Sequence, residues 1–377
     1  MAAGHGVTFI FQNSDMSKHQ AKNVWTGLQR GIQEIQNGNA STLRFEELYR
    51  NAYTLVLHKH GELLYDGVEK TIGNKLYRTA QEVEKTTDNQ LIEVIVAKWN
   101  NHKLTMTMIR DILMYMDKTY CEIKNKMASY DLGIARFKSI VAMNVHVLGR
   151  LRLELLSNIR KERESEQIDQ SLMRNCLRMF VDLDGPNNHI SHSSGGTELY
   201  DIEFEKYFIR ETREFYQVES EIYITQNSVP EYLKKIQSRL IQEKERADSY
   251  IPKKYTRDTL MKHVEYELIG RYQDVLINNK QSGSNDMFNK NRISDLKRMY
   301  NLFQRIDIKN SKLQKSMYEY IKQRGESIVS DVENIKNPEK FVSLVLELRN
   351  QFQLIVEDAF HDDKNFARKL KEAFEYF

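Results

Sequence analysis

Apolar residues recur three and four positions apart along nearly the whole chain, the spacing with which a helix buries one stripe of its surface. Val24, Leu28, Ile32 and Ile35 form one such stripe, and Ile109, Ile112, Leu113 and Met116 form another. No alternating pattern competes, so the expected fold class is all-α. Only four prolines interrupt 377 residues, which leaves room for long helices. Loop signals at 36–40 (QNGNA), 184–196 (DGPNNHISHSSGG), 227–230 and 281–285 cut the chain into antiparallel helices. The mixed-sign run 160–166 (RKERESE) follows an apolar segment at 140–159 and reads as solvated surface where a helix leaves the core. A chain of this length exceeds one compact core, so two or three units are expected. Short-period repeats of the tetratricopeptide, ankyrin or leucine-rich kinds are absent.

Charge then narrows the function classes. The chain carries 56 basic and 53 acidic residues, and the surplus of +3 is spread out instead of forming a stripe that neutralises phosphates. Nucleic acid is not an expected partner. No run of about 18 apolar residues suggests a membrane span, and positions 1–11 lack the basic region and apolar run of a secretory signal. Two cysteines far apart, Cys121 and Cys176, give neither a disulfide framework nor a paired-thiol zinc site. The expected location is a reducing compartment, cytoplasmic and nuclear.

The search for chemistry finds no catalytic, metal or cofactor site. Residues 67–75 (GVEKTIGNK) come near a phosphate-binding loop, but the glycines are one residue too far apart and no Ser or Thr follows Lys75. His58 and His60 lie two apart on an expected helix, where residues do not share a face and cannot chelate one ion. His189 and His192 fall in a loop without nearby cysteines or clustered carboxylates. No glycine-serine nucleophile elbow occurs, and the carboxylates are scattered among lysines and arginines.

One feature survives. The helix starting near Phe45 (FEELYRNAYTLVLHKHG) carries two apolar stripes: Leu48, Ala52 and Leu55 on one side, and Phe45, Tyr49 and Tyr53 spread over about 80° beside them. Either a second helix of the same bundle covers the aromatic stripe, or the stripe is a protein-binding face, for which tyrosine offers large contact area and a polar tip. Tyr115 projects about 120° from its own helix's core stripe and is expected to be an exposed aromatic.

These residues also carry a resemblance. FEELYRNAYTLVLHKHGELLY (45–65) and MIRDILMYMDK (108–118) resemble blocks of the cullin family, as do FEKYFIRETREFYQVES (204–220), LKRMYNLFQR (296–305) and the segments 130–133 and 232–250. The likeness spans most of the chain and is loosest at 66–96 and 184–197. It implies an elongated stalk of three stacked five-helix repeats, at 18–126, 127–250 and 251–377, after an N-terminal extension at 1–17. It also implies a non-catalytic scaffold of an E3 ubiquitin ligase, whose first repeat binds BTB-domain adaptors of the BTB-BACK-Kelch and related kinds. In the family a further C-terminal domain binds a RING-finger subunit and accepts a ubiquitin-like modifier; the chain is expected to lack it. Carried over by motif, the adaptor-binding residues are Leu43, Phe45, Glu46, Tyr49 and Tyr53 on one helix and Tyr115 with Lys118 on another.

Two departures accompany the resemblance. Where the family usually has Ser as the cap before FEEL, this chain has Arg44, which costs the helix roughly 0.5–2 kcal/mol unless Ser41 or Thr42 takes over. The family's basic, proline-containing extension is replaced by VTFIF, in which Val7, Phe9, Ile10 and Phe11 are expected to fill an adaptor groove, the other outcome being an unordered tail. A different functional class, a helical tether of the vesicle-docking kind, would share the fold but not bind BTB domains.

Overall fold

The structure is a computed structural model, and residues 16–184, 198–332 and 336–377 are described. Among them helices dominate and no β-strand occurs. The chain divides into two compact units, Met1–Phe204 and Glu205–Phe377.

In the first unit the helices are α1 (Lys18–Gln36), α2 (Phe45–Leu57), α3 (Gly61–Glu84), α4 (Asp88–Met116), α5 (Glu122–Lys124), α6 (Ser129–Phe137), α7 (Val145–Arg163) and α8 (Gln170–Leu183). At 29 residues, α4 is about 43 Å long. It packs against α1, α2, α3, α6, α7 and α8. Its buried side chains include Leu91, Ile95, Trp99, Met106, Ile109, Ile112, Leu113 and Met116, so the stripe read from the sequence is one part of a wider buried surface. Leu28, Ile32 and Ile35 are buried on α1, and Val24 is half-buried. Close approach of α1 and α3 depends on Gly67: a Cβ there would lie 2.4 Å from the Trp25 ring. That observation also places 67–75 inside α3, so it is not a phosphate-binding loop.

The second unit contains α9 (Lys206–Gln226), α10 (Val229–Tyr250), α11 (Lys254–Leu268), α12 (Gln273–Asn278), α13 (Ser284–Asn289), α14 (Ile293–Phe303), α15 (Ser311–Ser330), α16 (Pro338–Asp358) and α17 (Lys364–Tyr376). Of the loop read at 227–230, only Asn227 and Ser228 lie outside helices, because Val229 and Pro230 open α10. There Ser228 and Glu231 form a reciprocal capping box, with Pro230 in the first turn of α10. Buried polar clamps fix how these helices meet. The Tyr216 hydroxyl and Arg246 Nη1 both donate to Glu243 Oε2, at 2.6 Å each. Arg213 Nε donates to Glu267 Oε1 at 3.0 Å, and the Tyr232 hydroxyl donates to the Leu268 carbonyl at 2.9 Å.

Three expectations are corrected. His58 and His60 are not on one helix: His58 caps the end of α2, Lys59 takes a left-handed φ of 65°, and His60 precedes α3. The run 160–166 is not wholly solvated surface, because Arg163 is buried at the last turn of α7. Residues 284 and 285, read as loop, open α13. His189 and His192 lie outside the described residues. Cys121 and Cys176 are both free and buried, and burial pushes each thiol up to about 12.

Two outcomes test this packing. Gly67→Ala destabilises despite alanine's better helix propensity, because the methyl meets a ring fixed in the core. Gly73→Ala on the same helix, where a Cβ meets nothing within 4 Å, stabilises by roughly 0.5–1 kcal/mol. Urea unfolding of the pair checks the opposite signs. His102 supplies the second test. Its Nε2 lies 3.0 Å from the Gly133 carbonyl, its ring stacks on Phe137, and burial lowers it from 6.5 to about 4. A folded value below the unfolded one means that the unfolded chain takes the proton first. His102's contribution is therefore complete above about pH 6.5 and is lost as pH falls towards 4. Relative to His102→Gln, the wild type loses on the order of 2–3 kcal/mol between pH 7 and pH 4.5 in chemical denaturation.

Candidate protein-binding face

The face is built on α2, and α2 starts without a side-chain cap. Arg44 occupies the cap position and makes no capping hydrogen bond. Thr42 does not replace it: its hydroxyl donates to the Asn39 carbonyl at 2.9 Å within a short 3-10 turn, Ala40–Thr42. Ser41 makes no capping bond either. Glu46 and Glu47 in the first turn compensate through the positive end of the helix dipole. The other end closes firmly, with the His60 amide donating to the Leu55 carbonyl at 2.8 Å and the left-handed Lys59 standing where glycine is commonest. His60 Nε2 also lies 3.0 Å from the Met16 carbonyl, which ties the start of the described chain to the α2–α3 corner.

Leu48, Ala52 and Leu55 are buried, and α2 packs on α1 and α4. Gly31 of α1 admits Leu48: a Cβ at Gly31 would lie 2.5 Å from its Cδ2. The aromatic stripe is not sealed beneath another helix. Phe45 is exposed, and Tyr49, Tyr53 and Tyr115 are half-buried. Tyr53 meets Tyr115 of α4 with ring centroids 4.5 Å apart, and Tyr49 stacks on Tyr53 at 6.5 Å. Three rings from two helices thus make one ladder. The expectation for Tyr115 is modified: it leaves its helix's core stripe but is sheltered by Tyr53 and is not fully exposed.

The remaining candidates sit around this ladder. Leu43 is half-buried just before α2, and exposed Glu46 pairs with Arg50 at 2.9 Å. Lys118 is exposed, and its side chain forms no ion pair among the described residues. It lies on a π-turn, Asp117–Cys121, that continues α4. Val7, Phe9, Ile10 and Phe11 lie outside the described residues.

Two features were missed from sequence. Leu57, 51% exposed, continues the stripe at the four-residue step from Phe45 through Tyr49 and Tyr53; the spacing was its signal. Asp117 ties the π-turn to the start of α6, accepting from the Ser129 amide at 2.9 Å and the Ser129 hydroxyl at 2.7 Å. Burial raises its carboxyl, and the Ser129 bonds pull it back. Nothing local in the sequence marks that pair.

The arrangement offers an aromatic contact surface built from two helices. No group of three or more His, Cys, Asp and Glu residues that could hold a metal ion occurs among the described residues. No described helix is long and apolar enough to cross a membrane.

Comparison with known proteins matches residues 25–377 to the cullin alpha solenoid domain. The chain belongs to the cullin family. This cullin chain is 37% identical to Cullin-3A of Arabidopsis thaliana over 357 residues, covering 95% of the chain and 47% of that relative. It is 36% identical to Cullin-3 of Dictyostelium discoideum over 356 residues, covering 94% and 45%. To Cullin-3 of Caenorhabditis elegans it is 31% identical over 364 residues, covering 94% and 46%. The cullin chain therefore spans about half the length of the curated relatives it matches.

Two residues of α2, two positions apart, separate core from face. Leu55→Ala, at a fully buried position, costs about 2–5 kcal/mol of unfolding free energy. Tyr53→Ala removes an aromatic pair at a half-buried position and costs about 1 kcal/mol. Equal losses in urea titrations would put Tyr53 in the core.

Proposed function

We propose that the chain is a non-catalytic scaffold of a cullin-RING E3 ubiquitin ligase that captures BTB-domain substrate adaptors on the α2–α4 face. The observation that carries this reading is the half-exposed ladder Tyr49–Tyr53–Tyr115, drawn from two helices and flanked by the exposed Phe45, Glu46 and Lys118. Its similarity to cullin-3 proteins of a plant, an amoeba and a nematode supports the choice of partner class. The residues proposed to bind are Leu43, Phe45, Glu46, Tyr49, Tyr53, Tyr115 and Lys118, with Val7, Phe9, Ile10 and Phe11 adding an apolar arm. The proposal includes repeats at 18–126, 127–250 and 251–377, and a cytoplasmic and nuclear setting. In the whole protein, a RING-finger subunit and a ubiquitin-like modifier are the further proposed partners.

The chemistry of the face is that of a hot spot. Tyrosine gives a large, stiff contact area with a polar tip, and truncating such a residue at the centre of an interface commonly costs 2 kcal/mol or more. Tyr53→Ala therefore weakens binding to a BTB adaptor by roughly thirtyfold or more. Tyr53→Lys weakens it further, because an ammonium is left against a desolvated surface. Calorimetric titration with a panel of purified BTB proteins, alongside thermal melts of each variant, checks both outcomes. Variants that stay folded and bind every adaptor as the wild type does would remove the face from the interface.

A further inference from the structure

Helices α10 and α14 leave between them a groove of about 510 Å³, wholly within the second unit. Every charged side chain lining it is cationic: Lys244 from α10, Lys297 and Arg298 from α14, and Arg305 from the turn that follows α14. Two of these are compensated. Arg298 Nη1 donates to Asp295 at 2.9 Å, and Arg305 Nε donates to Glu265 at 2.8 Å. Lys244 and Lys297 are exposed and have no ion-pair partner among the described residues. Beside the charges the lining is mixed: Leu240 and Leu302 are buried, Ile241 is 54% exposed, and Gln237, Ser294 and Asn301 add polar groups. An isoleucine left open between two unpaired lysines is costly in water and useful to a ligand that brings both an apolar group and negative charge.

We propose that this groove docks an acidic peptide segment of a partner protein, with one large apolar side chain seated on Ile241 and carboxylates on either side facing Lys244 and Lys297. Charge complementarity selects the acidic partner. The exposed Ile241 and the lack of any aromatic lining residue favour a peptide over a nucleic acid, since single strands are held by aromatic stacking platforms. The site is built from residues outside the tyrosine face, so adaptor capture and acidic-peptide docking are independent.

Fluorescence anisotropy with the full 377-residue chain tests the proposal. The probe is a fluorescein-labelled peptide of Glu and Asp around a single Leu, and the controls are the same peptide with Ser for Leu and a labelled oligouridylate of equal charge. The wild type is expected to bind the Leu peptide saturably, and Lys244→Glu with Lys297→Glu to weaken binding about tenfold or more. Ile241→Ser is expected to weaken the Leu peptide about threefold or more and leave the Ser peptide unchanged. All three positions are exposed, so melting temperatures stay near the wild-type value. Absence of saturable binding overturns the proposal, as does binding that the variants leave unchanged. Equal or tighter binding of oligouridylate also overturns it, reducing the groove to a general polyanion site.

Discussion

The first unit depends on one long helix, α4, against which six others pack. Its apolar residues therefore cannot be confined to a single stripe. Neighbouring helices must come close enough to remove water, and small residues set that distance. Gly67 admits the Trp25 ring, and Gly31 admits Leu48. Those contacts fix α1 against α2 and α3 and thereby decide which residues of α2 face inward. The tyrosines end up half-covered because Leu48, Ala52 and Leu55 occupy the inward side first.

Much of this was legible in the sequence because periodicity is local. Helices could be read from three- and four-residue spacing, the break between α9 and α10 from its Asn-Ser-Val-Pro, and the two stripes of α2 from a helical wheel. The meeting of Tyr53 with Tyr115 was not readable in that way, since 62 positions separate them along the chain and only packing brings the rings together. Arg163 was hidden for a different reason: in a run of mixed charge, composition argues for solvent, while the last turn of α7 carries that side chain inward. The π-turn and its Asp117–Ser129 tie were equally invisible, because one extra residue in a helical turn leaves no mark on an apolar pattern.

The second unit uses a different means of specifying its packing. Buried carboxylates at Glu243 and Glu267 are each met by arginine, and Glu243 also receives a tyrosine hydroxyl. Such groups add little net stability over apolar replacements, but a shifted helix would strand a buried charge, and that cost disfavours alternative registers. Lys244 and Lys297 of the α10–α14 groove are the counterpart at the surface: charge held without an ion-pair partner among the described residues, in a place where water still reaches it.

Both thiols of the chain are buried and held protonated, at about 12. A thiol reacts as its thiolate, so neither Cys121 nor Cys176 competes for an alkylating reagent at neutral pH while the fold is intact. A cysteine introduced at an exposed position, Lys118 for instance, would therefore be the one reactive sulfur on the folded surface. The native sequence is in this respect already a labelling background, and a dye or spin probe could report on the tyrosine face without first removing any natural residue.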